Sequence, residues 1–154
     1  MRWYFRCESA LAAPRAEVWA QAGTLPGVNR ELAPLLRMTY PPEFATLHID
    51  EAPAGRLFRS WILLLGVLPV EYDDLTIVEH LPYGFQEASP MLMVREWRHR
   101  RALTDLPGGC RVIDEVSFVP RWQPAAPLLL VVFLLVFRLR HRNLRRMFGV
   151  LRRA

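Results

Sequence analysis

Apolar and polar positions alternate with two different periods along this chain. Trp3, Phe5 and Cys7 alternate with Tyr4, Arg6 and Glu8, which predicts a strand over 3–11. Pro14 suits the first turn of a helix, where its missing N–H would have no partner, and a short helix over 15–22 turns Val18 and Trp19 inward. Val28, Leu32, Leu35 and Leu36 share one helical face and predict a second short helix over 28–38, broken at Pro34. From Tyr40 the pattern becomes extended. Strands are predicted over 44–49, 57–65, 70–81, 85–89, 93–104 and 110–119, and the Pro- and Gly-rich breaks between them punctuate an antiparallel meander. Pro127 then opens a helix that runs to about residue 152, roughly 40 Å at 1.5 Å per residue. The order reads as one α+β domain over 1–154.

The last two strands define an inside. The turn Asp105-Leu-Pro-Gly-Gly109 sets a register in which Arg101 faces Asp114, Leu103 faces Val112, His99 faces Val116 and Trp97 faces Phe118. One face is then mostly apolar and the other, with Glu96, Arg98, Arg100 and Glu115, mostly charged, so the first turns inward. That places His99, Arg101 and Asp114 among large hydrophobic side chains. Buried charge is costly unless paired. Arg101 and Asp114 can satisfy each other as a structural pair; alternatively, they line a cavity and orient the polar end of a ligand.

The final helix carries a second unusual pattern. Residues 125–137 are apolar on every face, whereas 138–153 hold seven arginines and no acid. Thirteen apolar positions fall short of the roughly 18–20 needed to span a bilayer, so a buried helix is favoured over a spanning one. Leu130, Leu134, Phe137, His141, Leu144, Phe148 and Leu151 form one inward stripe. Arg138, Arg142, Arg145 and Arg153 fall largely elsewhere and can be solvated. Leu129, Val132, Leu135 and Val136 remain as an apolar patch that could serve a homodimer, a membrane surface or a ligand portal. A histidine such as His141 on an inward stripe is more often a satisfied core or rim group than a catalytic one.

Composition narrows the chemistry. The net charge of +5 belongs to the tail: outside 138–153 there are 13 basic groups against 15 acids. Every base is arginine, and the arginine cluster lacks an aromatic-basic platform, which argues against nucleic acid. Cys7 and Cys110 are too few and too distant for a disulfide framework and suit a cytoplasmic protein; the N-terminus has no secretory pattern. His48, His80, His99 and His141 are scattered, without metal-ligand spacing, and no cofactor motif is present.

Ala12-Ala-Pro-Arg-Ala-Glu-Val-Trp19 is similar to the "small-x-Pro-x-x-x-Val-Trp/Phe" opening of the START-like (SRPBCC) superfamily. Trp97-Arg-His99, leading through Gly108-Gly-Cys-Arg-Val-Ile-Asp114-Glu-Val-Ser-Phe118 to Pro120, resembles the penultimate hairpin of bacterial members. Cys110 stands where threonine is usual and Phe118 where tyrosine is usual. Arg138 to Phe148 resembles the family's arginine-rich helix end. The resemblance implies a helix-grip fold: a curved antiparallel sheet, with two short helices after strand 1, wrapped around the C-terminal helix and leaving a mostly apolar cavity. It implies no single activity.

Three functional readings follow. The first is a module binding a small hydrophobic or amphipathic, lipid- or polyketide-like ligand. Its walls would be Trp61, Leu63, Trp97, Val116, Phe118, Leu130, Leu134 and Phe137, with His99, Arg101, Asp114 and His141 as polar groups. The second is a cyclase- or dehydratase-type enzyme using His99 and Asp114 as acid and base, aided by Glu87 or Arg101. The third is a peripheral membrane protein docking through its last helix, with Arg138, Arg142 and Arg145 on anionic lipid and Trp61 to Leu68 as a second apolar element.

Overall fold

Strand-period segments supply seven strands to one curved antiparallel sheet of order β1-β7-β6-β5-β4-β3-β2. These are β1 (Trp3–Leu11), β2 (Leu36–Met38), β3 (Gly55–Leu64), β4 (Leu68–Leu81), β5 (Gly84–Ser89), β6 (Val94–Leu106) and β7 (Gly109–Pro120). Helices α1 (Arg15–Ala22) and α2 (Leu25–Leu32) follow β1, and α3 (Ala126–Phe148) closes the chain. This computed structural model describes residues 1–152; Arg153 lies outside the described residues. The architecture is the α+β helix-grip, with α3 laid against β1 and α2.

Two elements depart from the sequence pattern. The second helix is Leu25–Leu32, not 28–38. Thr24 caps it by accepting the Gly27 N–H at 3.1 Å, and Pro34 cannot continue it. The apolar residues beyond become the edge strand β2, paired to β3 from Leu36↔Leu64 to Met38↔Ile62. Asn29 holds this strand against α2, donating to the Met38 carbonyl at 3.0 Å and accepting its N–H at 2.7 Å. Residues 44–49 form no strand. Pro41-Pro42 starts a 3-10 turn over Pro42–Ala45, and a second covers Ile49–Glu51. Phe44 packs on Phe58 at 4.6 Å between ring centroids.

The β6–β7 register is the expected one, with Arg101↔Asp114, Leu103↔Val112, His99↔Val116 and Trp97↔Phe118. The whole inner row is buried. Helix α3 ends at Phe148 rather than near 152, because Gly149 adopts φ +79° and turns the chain back to β1. There Leu151 donates its N–H to the Ala10 carbonyl and Ala12 donates to that of Gly149, both at 3.1 Å.

Residues 123–148 do contain a window apolar enough to cross a bilayer, with mean hydropathy 1.6, because an 18-residue window admits two arginines. Packing decides the matter: Leu129, Phe137, Arg140, His141 and Leu144 of α3 are buried within the fold. The helix is a core helix.

Candidate functional site

A cavity of about 460 Å³ lies between α2, α3 and the inner face of β2–β6. Strand period places Glu71, Asp73, Leu75 and Ile77 of β4 on it together, with Phe85 and Glu87 from β5 and Trp97 and His99 from β6. Helix period supplies Leu25, Val28 and Leu32 from α2, and Leu129, Val132, Phe133, Val136, Phe137 and Arg140 from α3. Its walls are overwhelmingly apolar. Leu35, Met93, Leu128 and Val132 both line it and are exposed, so they mark its mouth. Asp73, Glu87, Trp97 and His99 are buried and mark its floor.

Of the expected wall residues, Trp97, His99 and Phe137 line this cavity. The rest do not. On β3 it is Ile62 and Leu64 that turn inward, so Trp61 and Leu63 have the opposite parity. Trp61 is 42 % exposed and packs edge-on against Tyr72 at 5.5 Å. Val116 and Phe118 are buried with Phe5, and Leu130 and Leu134 of α3 pack on that same cluster, beside the cavity rather than in it. Arg101 and Asp114 lie beneath α2 and α3, off the cavity surface. His141 turns to the other side of α3, into a shallow depression with Cys7, Glu8, Leu135, Arg138, Leu139, Arg142 and Arg145. Helix α3 thus buries two stripes, not one. Leu129 and Val136, left over in the sequence pattern, are cavity wall.

The charged residues of the inner face form one buried cluster. Arg101 grips Asp114 with two parallel bonds, Nε to Oδ1 at 2.8 Å and Nη2 to Oδ2 at 2.7 Å. Its remaining nitrogen reaches Glu31 of α2 at 2.8 Å, and Glu31 also accepts from Arg140 of α3 at 3.1 Å. His99 Nε2 meets Asp114 Oδ1 at 2.7 Å and His141 Nε2 meets Oδ2 at 2.8 Å. An ionised carboxylate only accepts, so both imidazoles donate from Nε2. Ser9 bonds His141 Nδ1 at 2.7 Å and receives Arg145 Nη1 at 2.8 Å. Asn143 of α3 donates to the carbonyls of Glu31 and Ala33 at 2.8 and 2.7 Å, closing the end of α2.

Burial alone would raise the Asp114 pKa, but the Arg101 charge and the hydrogen bonds from Arg101, His141 and His99 hold it well below the usual carboxylate range. Burial alone would lower that of Arg101, and Asp114 and Glu31 outweigh it, so the guanidinium is held further into its charged form. Each Asp114 oxygen already accepts two bonds. In this geometry Asp114 orients His99 from behind and has no lone pair left for a ligand. Glu31 and Arg140 were not legible as partners, because each lies on a different element, remote in sequence.

At the cavity floor the electrostatics differ. Burial and the adjacent Glu87 charge push the Asp73 pKa well above its ordinary value. Burial would also raise Glu87, yet the adjoining His99 and Asp73 and the hydrogen bond from Ser89 bring it below the ordinary value. Of the arginines expected to meet anions, Arg138 and Arg142 are exposed, whereas Arg145 is partly buried and engaged with Ser9.

Residues 9–148 match the family described as "Domain of unknown function (DUF8410)". No curated protein matches the sequence. Solved structures share the fold at low identity. Protein CV1439 from Chromobacterium violaceum superimposes with a TM-score of 0.69 at 13 % identity, over 95 % of this chain and 96 % of its own. The Zhui aromatase/cyclase from Streptomyces sp. R1128 gives 0.61 at 12 %, over 98 % and 100 %. Ara h 8.0201 gives 0.58 at 12 %, over 94 % and 98 %. At these identities the likeness shows the fold, which is the helix-grip that the START-like resemblance implied.

Proposed function

This chain belongs to the family described as Domain of unknown function (DUF8410), and on that premise and its helix-grip fold we propose that it binds one small hydrophobic or amphipathic, lipid- or polyketide-like molecule between sheet and α3. A single observation carries the reading. An apolar cavity of about 460 Å³, within the size range of small-molecule sites, runs from an exposed apolar mouth to a buried polar floor. Apolar walls supply affinity and a few polar groups supply orientation. The polar side chains that line it are Thr24, Glu71, Asp73, Glu87, His99 and Arg140, whereas Arg101, Asp114 and His141 are consumed by the buried cluster. Native mass spectrometry of freshly purified protein tests the reading, with extracted small molecules identified. One discrete non-covalent adduct of apolar character is expected. A clean apo mass, together with no binding of added apolar probes, would overturn it.

A second reading rests on the solvent face of α3. Its exposed positions include Leu128, Val131, Val132 and Leu135, followed by Arg138, Arg142 and Arg146. Apolar for two turns and then cationic, this face suits an anionic lipid surface. Exposed Leu65, Val67 and Leu68, at the β3–β4 tip, extend the apolar surface beside the cavity mouth. Unpaired Cys7 and Cys110 suit a reducing compartment, and the reading places the protein in the cytoplasm at a membrane surface. The protein should float with anionic vesicles at low salt, bind several-fold less at 0.5 M salt, and lose binding when Arg138 and Arg142 become glutamine. Concentration-dependent dimerisation without vesicle binding would assign the face to a second copy instead.

A further inference from the structure

Most polar side chains that line the cavity are already engaged by the fold. Thr24 caps α2, accepting the Gly27 N–H, and donates its hydroxyl to the Gln21 carbonyl at 2.8 Å. Glu71 accepts the N–H groups of Tyr72, Leu92 and Met93 at 2.9, 2.6 and 3.1 Å, which ties the β5–β6 connection to β4. Glu87 accepts the Ser89 hydroxyl at 2.8 Å, and His99 donates to Asp114. Asp73 adjoins Glu87 and has one oxygen sealed off from any ligand; two adjoining buried carboxyls do not both carry charge. All three acids belong to the sheet wall of the cavity.

The helix wall differs. Arg140 of α3 is the one arginine lining the cavity among the described residues, and it is only 7 % exposed. Its Nε donates to Glu31 Oε1 at 3.1 Å, and its guanidinium lies 5.0 Å from the centre of the Phe137 ring. Neither Nη1 nor Nη2 has a hydrogen-bond partner among the described residues, and neither is among the sealed polar atoms of the interior. A guanidinium carries its N–H donors in a fixed fork, and here the outer prongs of that fork are unmet. Charge balance is not what is missing, since Arg101 and Arg140 face two carboxylates, Glu31 and Asp114. Acceptors are.

We infer that Arg140 is the recognition point for a carboxylate at the head of an otherwise apolar ligand. The inference rests on the cavity reading above and adds the ligand's head group. A carboxylate accepts from both terminal nitrogens at once, and such charge-assisted bonds are roughly twice as strong as neutral ones. An ester of the same length offers Arg140 only a neutral oxygen. A phosphate monoester brings a second charge, and no second arginine or lysine lines the cavity among the described residues to meet it. Glu71 and Glu87, which would repel the head, stand on the sheet across the cavity. Arg140 follows Leu128 at the mouth by twelve residues of α3, roughly 18 Å at 1.5 Å per residue. The tail of the ligand runs that length past Phe137, Val136 and Val132.

The test is a matched series of one chain length, for example dodecanoate, methyl dodecanoate, dodecanol and dodecylammonium, titrated below micelle formation into the whole protein at pH 8. Wild type should bind dodecanoate roughly tenfold or more tighter than each of the others. Arg140→Gln leaves Glu31 with Arg101 and should bind dodecanoate no tighter than the methyl ester, with affinity for the ester little changed. Arg140→Lys keeps the charge beside Glu31 but has no fork; it should lose several-fold in dodecanoate affinity alone, and it carries the test if Arg140→Gln does not fold. Equal binding of dodecanoate and its methyl ester to wild type would overturn the inference while leaving the cavity reading intact. So would tighter binding of dodecylammonium, which would assign the head to the acids of the sheet. Equal weakening of all four ligands in the variants would mark a structural role for Arg140 and overturn it as well. Binding of none of the four, nor of an unrelated apolar probe, would overturn both readings.

Discussion

Arg101→Met should lower stability by about 3–5 kcal/mol, the range for removing one partner of a buried ion pair. The side chain is fully buried, and its guanidinium is the counter-charge for two fully buried carboxylates, Asp114 and Glu31. Methionine fills much of the volume but leaves Asp114 with His99 and His141 and Glu31 with Arg140 alone. For a chain of this size about 2–4 °C of Tm accompanies each kcal/mol, so thermal unfolding should fall by roughly 6–20 °C. The pH dependence carries a sign. Asp114 has a depressed folded pKa in the wild type, so its contribution is complete above the unfolded-state value of about 3.9 and is lost as pH falls through the lower folded one. In Arg101→Met the Asp114 carboxyl loses the charge that holds its pKa down and shifts upward. The variant should therefore regain stability on acidification from neutral toward pH ~4, while the wild type does not. Asp114→Leu added to Arg101→Met should cost less than the sum of the single changes. A loss below about 1 kcal/mol for Arg101→Met would show that the cluster is hydrated and not a core element.

Val132→Trp should close the cavity to ligand. Val132 sits at the mouth, lines the cavity and is 43 % exposed, so the larger ring has room to enter without displacing the closed core. Binding of an apolar probe should weaken roughly tenfold or more, with Tm little changed. The adjacent Val131→Trp is the control, because Val131 is 54 % exposed and does not line the cavity. Fluorescence titration of both variants reads the difference. Unchanged affinity in Val132→Trp would place the probe elsewhere; equal losses in both would make the effect a property of the α3 surface.

Much of the frame was legible before folding because it rests on local period. The β6–β7 hairpin is the best instance: a short turn sets the register, so Arg101 had to face Asp114. The same logic failed on β3. The run Trp61-Ile-Leu-Leu-Leu65 has no polar residue to set parity, so its pattern does not separate Trp61 and Leu63 from Ile62 and Leu64, which turn inward. On β4 the alternation carries the signal. Asp73 shares parity with Leu75 and Ile77, so an inward carboxylate followed from the alternation, although acidic residues ordinarily argue for the outer face. Residues 28–38 carried a helical stripe up to Met38, yet Pro34 and the open edge of β3 converted its end into a strand.

By itself, the sequence determined what depends on neighbours along the chain or across one tight turn: β1, α1, the cores of β3 to β7, the inward row of the last hairpin, and a helix whose first half must be covered. Only the tertiary structure decided what covers it. Helix α3 lies between two apolar surfaces, the Phe5–Phe118 cluster on one side and the cavity on the other, so two stripes are buried where one was expected. It also decided that Glu31 of α2 and Arg140 of α3 complete the Arg101–Asp114 pair. These are contacts between elements tens of residues apart. No local pattern encodes them, because burial and charge pairing at a point depend on which surfaces the whole chain brings together there.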